Sequence, residues 1–428
     1  MRIQGGVRMN FVKNKTLYVY NNDGLAVPFY TVSNEVFLTA DLIEGLFSFS
    51  DYRDAVRSRL SKIVVRVYKL NSDETISGDI SEYVASLSLS FKYQQGQTRM
   101  GNLSLMNHNG EFMLSPVRNT LWKGSKLRID VGLAYKNNIF WKQCGIFVCG
   151  TFSIDEANRQ ISFPIYDKFA LLDGTVGGKV DSELQIPRGT PIRYAIQLCL
   201  GDDKGNGESY DYKPVIFPSE YEGVTTPYNI SKTPETTIGE LLLELSDIIS
   251  CDIFYNDTGN LVLEAGSDTN LYIYKATLWE LSDDDVFDYP TQEVDFSKAI
   301  NRVYVVGSIE NGYQHKAKLD NTNAESQNNV HMTDVNSLYI EDTNLISDEL
   351  CMDRAKYEMK KQGILTKKIN IKTTFIPNLL PNNVVSYTNK RFGIKNERYI
   401  MSSIDFDLTD SKCIMSVSMS NLKEVIFA

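Results

Sequence analysis

Histidine is scarce in this sequence: the 428-residue chain has three, His108, His315 and His331. None lies in an HExxH pair, which excludes the zinc hydrolases that use that motif, and no GxSxG elbow surrounds a serine. The sequence therefore offers few candidate residues for a Ser–His–Asp triad or a Cys–His dyad. We expect His315 and His331 to lie in exposed polar loops, and we predict that the chain has no catalytic residues.

Paired cysteines are also missing. The sequence has no CxxC pair and no cysteine and histidine at zinc-finger spacing, which excludes the common zinc modules. The six cysteines stand apart from one another in apolar surroundings, so we predict buried free thiols in a protein that assembles in a reducing cytoplasm. They are Cys144, Cys149, Cys199, Cys251, Cys351 and Cys413.

The sequence lacks long apolar runs. No stretch approaches the roughly 18–20 apolar residues that span a bilayer, and the segment Met1–Gly6 lacks the hydrophobic region of a signal peptide. We therefore expect neither secretion through a signal peptide nor insertion of this chain into a membrane.

An excess of positive charge is absent as well. Asp and Glu number 54 against 44 Lys and Arg, a formal charge of -10, which disfavours a protein that wraps nucleic acid. The 42% of hydrophobic residues is ample for a folded core. At about 100–200 residues per domain, the length indicates two to four domains.

Two segments could hold a ligand but match no binding motif. Gly201–Gly207 follows a helix instead of leading into one, so it is predicted to be a turn and not a phosphate loop. Asp283–Asp288 lacks the glycine and the final glutamate of an EF-hand loop. We predict no metal and no cofactor. A pair of carboxylates that hydrolyses glycans is defined in space, so the sequence leaves it open.

Strand signals dominate residues 61–175. Leu87, Leu89 and Phe91 alternate with Ser86, Ser88 and Ser90, the period of a half-buried strand. Further strands are predicted at Ile63–Leu70, Leu103–Met106, Leu127–Leu133, Gly145–Val148 and Ile161–Ile165. Strands at this spacing indicate a first tube-like antiparallel β-barrel.

Helical signals appear in residues 176–298. Thr190 and Pro191 can start a short helix, and Thr237 with Glu240 forms a capping box ahead of the apolar stripe Ile238–Ile249. The runs Cys251–Tyr255 and Asn260–Glu264 predict a β-hairpin on which that helix packs. This region is predicted to be a small α+β module.

Residues 299–428 return to strand period. A helix capped by Ser347 and ended by Gly363 carries the apolar stripe Leu350, Cys351, Ala355 and Met359, and strands follow to the end. We predict a second tube-like β-barrel with one helix. The fold class is therefore β-rich α+β, with two tube-like antiparallel β-barrel modules that bracket the α+β module. Residues 1–60 are predicted to be an N-terminal extension, with a short helix in Phe37–Phe47.

The order of these signals resembles a known family. Asp79–Phe91, leading to Met100–Asn107, is similar to the opening strands of the baseplate hub and tail-tip hub proteins of tailed bacteriophages and tailocins. Leu127–Leu133, Gly145–Ile154 and Ile161–Leu172, with the turn Tyr166–Lys168, look like the continuation. Asp353–Met359 and Pro377–Val385 resemble the helix-then-barrel segment that closes such hubs. The resemblance covers about residues 61–428, by pattern and not by an invariant motif.

The resemblance implies a homotrimer that joins the hexameric tail tube to a central spike or tail tip in the virion baseplate. It implies contacts with a tail tube or distal tail protein, with a spike, tip or lytic protein and with wedge or arm proteins, while DNA passes through without tight binding. Residues 1–60 have no counterpart in the family, and no fibre or peptidoglycan-cleaving segment precedes Ala428. We therefore expect any lytic function to belong to a partner.

Two other functions remain open. A receptor- or carbohydrate-binding tail protein would expose an aromatic cluster in a groove, and a β-rich glycan hydrolase would hold two carboxylates about 5–9 Å apart in a cleft. For the hub, a channel that does not retain DNA should be neutral or acidic. The candidate lining is the densest acidic run, although such runs are more commonly solvated outer loops. Its members are Asp283, Asp284, Asp285, Asp288, Glu293 and Asp295.

Overall fold

The computed structural model describes most of the chain. The described residues are 8–11, 16–20, 26–31, 49–58, 61–112, 121–136, 138–180, 183–201, 209–265, 276–294, 299–310, 312–324, 326, 328–363, 367–408 and 414–421. The helix expected in residues 37–47 lies outside this part of the chain.

Three short strands and one helix come first. Strands β1 (Arg8–Phe11), β2 (Thr16–Tyr20) and β3 (Ala26–Thr31) form an antiparallel sheet, and α1 spans Phe49–Arg57. Tyr52 of α1 is fully buried. Its ring centroid lies 5.1 Å from that of Phe140 and 5.9 Å from that of Trp279. The N-terminal extension therefore contributes a helix to the main core.

Eight antiparallel strands follow in the region predicted to be the first β module. They are β4 (Lys62–Leu70), β5 (Ile76–Asp79), β6 (Val84–Lys92), β7 (Arg99–Met106), β8 (Lys126–Tyr135), β9 (Asn138–Cys149), β10 (Ser153–Asp155) and β11 (Gln160–Asp167). Leu87, Leu89 and Phe91 are buried, whereas Ser88 and Ser90 between them are half-buried. The predicted alternation is confirmed here.

A smaller α+β region follows a short turn at Lys168–Leu171. Its elements are β12 (Leu184–Ile186), α2 (Ile192–Gly201), β13 (Ile230–Lys232), α3 (Ile238–Ile248), β14 (Cys251–Tyr255) and β15 (Leu261–Ala265). The capping box is present: Glu240 N donates to Thr237 Oγ1 at 3.1 Å, and Thr237 N donates to Glu240 Oε2 at 3.2 Å. Leu241, Leu242 and Leu245 are fully buried in a core shared with the β14–β15 hairpin. The predicted helix and hairpin are confirmed.

The remaining elements alternate between two sheets. They are β16 (Thr277–Ser282), β17 (Thr291–Val294), β18 (Arg302–Glu310), β19 (Tyr313–Asp320), β20 (Ser337–Glu341), α4 (Asp348–Gln362), β21 (Lys367–Thr374), β22 (Val384–Asn389), β23 (Ile394–Asp407) and β24 (Ile414–Asn421). Strand β16 pairs in parallel with β22, and β17 pairs with β21. Both early strands therefore lie in the large sheet, although the sequence assigned residues 277–294 to the α+β module.

Helix α4 packs on a separate three-stranded sheet of order β19-β18-β20. Ser347 caps it by accepting a hydrogen bond from Leu350 N at 3.1 Å, and Gly363 ends it. Cys351, Ala355 and Met359, each four residues apart, are fully buried against the sheet. Leu350 was predicted on the same stripe but is 39% exposed, because a residue one position earlier points about 100° away around a helix with 3.6 residues per turn.

One large sheet joins the two β regions. Its strand order is β17-β21-β24-β23-β6-β7-β11-β9-β8-β4-β5. The joint is the antiparallel pairing of β23 with β6, from Ser403 opposite Lys92 to Asp407 opposite Ser88. One hydrophobic core includes residues of both regions, such as Phe91 and Phe406, whose ring centroids lie 5.3 Å apart. The β-rich α+β class is confirmed, while the division into two tube-like barrels stays a prediction.

Candidate functional site

The joint between β23 and β6 carries a polar face that crosses six strands. Cross-strand partners point to the same side of a sheet, so the register defines rows of neighbouring side chains. The central row is Lys372–Ser416–Asp405–Ser90–Met100–Tyr166. The row on one side is Asp407–Ser88–Asn102–Pro164, and the row on the other is Asn370–Ser418–Ser403–Lys92. The opposite side of the same strands forms the core.

We call the centre of this surface the serine face, and we define it by the side chains that point away from the core around the joint. Its members are Ser88, Ser90, Asn102, Ser403, Asp405, Asp407, Ser416 and Ser418. It is concave: depressions of about 570 Å³ and 400 Å³ adjoin at Asp405 and Ser416. The serine face is therefore a continuous trough across both β regions.

The charge of the trough is neutral to negative at its centre. Asp405 and Asp407 are among the described residues that line the larger depression, and neither Lys nor Arg is. Lys372 lies at one end of the central row, where its Nζ is 3.2 Å from Asp288 Oδ2. At the centre of this surface a polyanion would meet hydroxyl and carboxylate groups together with Met100, Pro164 and Tyr166, and the exposed Lys92 lies in the adjoining row.

A second site is a buried charge cluster beneath the α+β region. The Lys168 side chain is 1% exposed, and its Nζ lies 2.5 Å from Glu74 Oε1 and 2.7 Å from Asp211 Oδ2. Lys126 and Lys213 also pair with Glu74, at 3.0 and 2.8 Å. The cluster therefore ties the β4–β5 turn of the first β region to the α+β region.

Burial and charge together set the pKa values of this cluster. Burial by itself would raise the pKa of Glu74, but the charges of Lys168 and Lys126 hold it at about 2. Burial lowers the pKa of Lys168, and Asp211 and Glu74 oppose that shift. Burial raises the pKa of Tyr255, and its hydrogen bond to Asp211 Oδ2, 2.8 Å long, acts in the same direction. The tyrosine therefore stays protonated and donates to Asp211.

Asp167 anchors the turn that the resemblance pointed to. Its Oδ2 accepts hydrogen bonds from Thr98 N at 2.7 Å and Arg99 N at 2.9 Å, and its Oδ1 accepts from Phe169 N at 3.0 Å. Burial raises the pKa of this carboxyl group, and the backbone donors oppose the shift. The side chain thus fixes the end of β11 against the loop before β7, which is a structural role.

The β14–β15 hairpin contacts both β regions. On the first, Tyr93 Oη donates to Asp252 Oδ2 at 2.5 Å, and Gly96 N donates to Ile253 O at 2.7 Å. On the second, Asn382 Nδ2 donates to Glu264 Oε2 at 2.8 Å. The hairpin therefore braces the joint between β6 and β23 from the side of the α+β region.

The acidic run predicted as a channel lining divides into several environments. Asp283, Asp284, Asp288 and Glu293 are exposed, and Asp295 lies outside the described residues. Asp285 is 6% exposed; its Oδ1 pairs with Arg57 at 3.1 Å and its Oδ2 caps a turn at Ser282. Asp285 is therefore not a surface residue, because its carboxylate binds Arg57 and Ser282 inside the fold. Asp288 lines one end of the smaller depression beside the serine face. Channel lining by the exposed members stays a prediction.

An exposed aromatic corner lies next to the same run. Tyr289 is 74% exposed and Phe287 52%. Both line a depression of about 420 Å³ together with Asp283, Asp288 and Arg391. The Arg391 guanidinium carbon lies 4.8 Å from the centre of the Tyr289 ring.

The histidines and cysteines form no evident reaction centre among the described residues. His108 and His331 are exposed, as expected for His331, but His315 is half-buried in β19, with its Nδ1 3.2 Å from Asp348 Oδ1. Five cysteines are buried and free, as predicted, and Cys413 lies outside the described part. Burial raises the pKa of Cys351, the cysteine on α4, which disfavours a nucleophilic thiolate. No cluster of His, Cys, Asp and Glu suited to a metal ion occurs in the described segments.

Sequence reasoning missed the serine face and the charge cluster. The face had a visible signal, because serine or aspartate alternates with apolar residues in β6, β23 and β24. The cluster had almost none, since Glu74, Lys168 and Asp211 are far apart in the chain. The Gly201–Gly207 segment falls almost entirely outside the described residues. No helix in the described part is long and apolar enough to span a bilayer.

Known proteins resemble this chain chiefly in structure. A family described as a domain of unknown function (DUF5048) matches residues 325–425, less than half of the chain. No curated protein sequence matches. The 43 kDa tail protein of prophage MuSo2 from Shewanella oneidensis superposes with a TM-score of 0.56 at 14% identity, covering 84% of this chain and 98% of that one. The tail protein from Neisseria meningitidis MC58 gives 0.54 at 12%, covering 84% and 97%. The resemblance to tail proteins is therefore confirmed at the level of the fold, and the chain has the fold of a prophage tail protein.

Proposed function

We propose that this chain is a structural hub of a phage tail baseplate: a homotrimeric adaptor that joins the hexameric tail tube to the central spike or tail tip. The fold shared with two tail proteins over 84% of the chain supports a tail role. The finer role rests on one observation, the continuous sheet that joins two β regions through β23 and β6. Three copies would present six β units to a sixfold tube.

The serine face is the proposed wall of the DNA channel. A wall must be continuous across both β units of a copy, and the serine face lies on paired strands of both, with a β-bulge between Met401 and Ser403 at its edge. Lys and Arg that contact phosphates add affinity by releasing counterions, and so would retain DNA. The small hydroxyls, Asp405 and Asp407 at the centre of this face give no such contact, whereas Lys92 and Lys372 lie towards its edge. The exposed acids Asp283, Asp284, Asp288 and Glu293 would border this wall.

The hub would work within the virion tail after assembly in the host cytoplasm. Its proposed partners are a tail tube or distal tail protein on one side and a spike, tip or lytic protein on the other, with wedge or arm proteins around it. The adaptor would need no cofactor or metal, and no membrane insertion of its own.

The proposed role is not enzymatic. A glycan hydrolase needs a carboxylic acid whose pKa is raised, so that it is protonated when it donates to the leaving group. Hydrogen bonding to Tyr289 N and to Lys372 lowers the pKa of Asp288, the opposite direction, so this carboxylate beside the trough does not suit that role. We expect the purified chain to cleave neither peptidoglycan nor common polysaccharides. Turnover abolished by a single carboxylate substitution would contradict the proposal.

Thiol labelling of a trimer tests both the assembly and the wall. Ser416 on the serine face and Ser337 at the start of β20 are both exposed serines in strands of different sheets. Ser416→Cys and Ser337→Cys would each be treated with a small maleimide and with a maleimide on a large dextran, over a range of protein concentrations. Light scattering would report the oligomeric state in parallel, and the wild-type chain would give the background.

The proposal predicts that trimer formation protects Ser416→Cys from the dextran reagent but not from the small one, because the channel is open but narrow. Ser337→Cys should react with both reagents in every state. Equal dextran labelling of the two variants in a trimer would agree with the adaptor role but would show that the serine face lies on the outside of the trimer. A chain that is monomeric at every concentration and in the assembled particle would contradict the adaptor itself.

A further inference from the structure

The exposed aromatic corner has the features of a small-ligand site. Its depression, about 420 Å³, falls in the range of roughly 300–1,000 Å³ that small-molecule pockets occupy. A protein interface of ordinary size instead buries about 800 Å² on each partner. The volume of the depression is therefore sufficient for a compact ligand.

The corner is held in place before any ligand arrives. Asp285, two residues before Phe287 in the chain, is buried and bonded to Arg57 and Ser282. Phe287 N donates to Lys372 O at 2.8 Å, which pins the loop to β21. Asp288 Oδ1 accepts from Tyr289 N at 2.9 Å. A rigid loop loses little conformational entropy on binding, so its exposed rings are preorganised.

The Tyr289 ring offers one face to a ligand. Arg391 lies over it at 4.8 Å, which is a cation–π contact that fixes the orientation of the ring. With 74% of the residue exposed, an apolar platform with a hydroxyl at its edge remains open to solvent. Such a platform suits a ligand that has both C–H surface and hydroxyl groups.

The polar groups around the platform suit a neutral ligand. Asp288 is paired with Lys372, and among the described residues that line the depression the other charged groups are one carboxylate, Asp283, and one guanidinium, Arg391. Asp283 Oδ2 already accepts from Lys390 N at 3.2 Å, which leaves its Oδ1 as an acceptor. This carboxylate oxygen in the depression can accept a hydrogen bond from a hydroxyl of the ligand.

We propose that this corner binds a saccharide: a sugar ring stacks on the face of Tyr289 that Arg391 leaves open, with Phe287 beside it, and its hydroxyls bond to Asp283. An aromatic cluster in a groove is the feature that distinguishes a carbohydrate-binding tail protein from a bare hub. The corner borders the proposed channel wall, because Tyr289 also lines the smaller depression of the trough, so the saccharide site rests on this corner lying at the outer edge of that wall.

Calorimetric titration of the full chain with two neutral trisaccharides, chitotriose and maltotriose, tests the site. At least one should bind to the wild-type chain. Tyr289→Ala should weaken that binding at least about tenfold, the size expected for loss of an aromatic contact, whereas Tyr289→Phe should retain most of it. Tyr194→Ala is the matched control, because Tyr194 is 58% exposed on α2, a different surface.

Three results would overturn the proposal. If neither trisaccharide binds at millimolar concentration, the corner is not a saccharide site. Binding that Tyr289→Ala leaves unchanged would place the sugar elsewhere. A Tyr289→Ala variant that folds but changes its oligomeric state in light scattering would show that the corner is a contact between protein chains.

Discussion

Lys168 carries a positive charge in a position that is 1% exposed, surrounded by Glu74 and Asp211. Replacing it by methionine keeps the side-chain length but removes the partner that the two carboxylates share; Glu74 keeps Lys126 and Lys213, whereas Asp211 loses its lysine. Removing one member of a buried ion pair costs about 3–5 kcal/mol, because the remaining charge stays desolvated. Lys168→Met should therefore lower the free energy of unfolding by that amount in urea denaturation.

The matched control is Arg193→Met. Arg193 pairs with Glu222 at the surface, where their side chains are 41% and 52% exposed, so its loss should cost about 0–1 kcal/mol. Equal effects of the two substitutions would mean that the buried cluster does not hold the α+β region in place.

Glu74 makes stability depend on pH in a definite window. Its pKa is about 2 in the fold against an ordinary 4.5, so its stabilising contribution is complete above 4.5 and is lost as the pH falls towards 2. Glu74→Gln should melt at a lower temperature than wild type at neutral pH, and the two melting curves should converge near pH 2. Glu222→Gln, at an exposed pair, should follow the wild-type pH profile. A constant difference between Glu74→Gln and wild type down to pH 2 would contradict the assignment.

Single residues were predictable where the signal is local. Thr237 with Glu240, Ser347 and the buried thiols follow from neighbours in sequence, because caps and apolar surroundings are read within a few positions. Glu74 and Lys168 could not be paired in this way, since only the folded chain brings them together. Asp285 was predicted to line the channel with its acidic neighbours. It is instead buried and paired with Arg57, which lies in a helix distant in sequence.

Helix α3 is the element on which the α+β core depends. Leu242 is fully buried there between α2 and the β14–β15 hairpin. Leu242→Asp would bury a charge without a partner, which costs several kcal/mol and should unfold this region. Leu198→Asp is the control, because Leu198 of α2 is 38% exposed. Circular dichroism melting should show a large loss for the first and a small one for the second; near-wild-type melting of Leu242→Asp would contradict the packing.

Elements were predictable from their period, but their neighbours were not. Strands β6 and β7 and helices α3 and α4 follow from spacings of two and of three to four residues. The parallel pairing of β16 with β22 joins segments that are separated by a whole sheet and a helix, and no periodicity encodes it. Leu350 shows the limit within a helix, since a stripe read from sequence does not say which edge meets the sheet.

The two β regions should unfold as one unit, because they share a sheet and a core. Phe406 on β23 packs against Phe91 on β6 across the joint and against Phe375, with ring centroids 5.3 and 5.4 Å apart. Phe406→Ala should cost about 3–5 kcal/mol and shift a common transition. Phe392→Ala, at a residue 40% exposed, should change stability little. Calorimetry that shows two β transitions, only one of them moved by Phe406→Ala, would contradict the shared core.

At the scale of the molecule, the β-rich α+β class was predictable because it follows from the periodic segments. The continuity of the sheet was not, since Ser403–Asp407 and Ser88–Lys92 meet only in the fold. The proposed channel wall depends on that continuity. The functional surface therefore could not be predicted from the sequence, for the same reason that the pairing of β23 with β6 could not.

A three-dimensional reconstruction of the assembled oligomer by electron cryomicroscopy tests the adaptor most directly. The reconstruction should show three copies around a threefold axis, with β23 and β6 side by side on the inner wall and Ser90, Asp405 and Ser416 facing an open channel. A monomer or an elongated fibre, or a ring whose channel is lined mainly by Lys and Arg with the serine face outside, would contradict it.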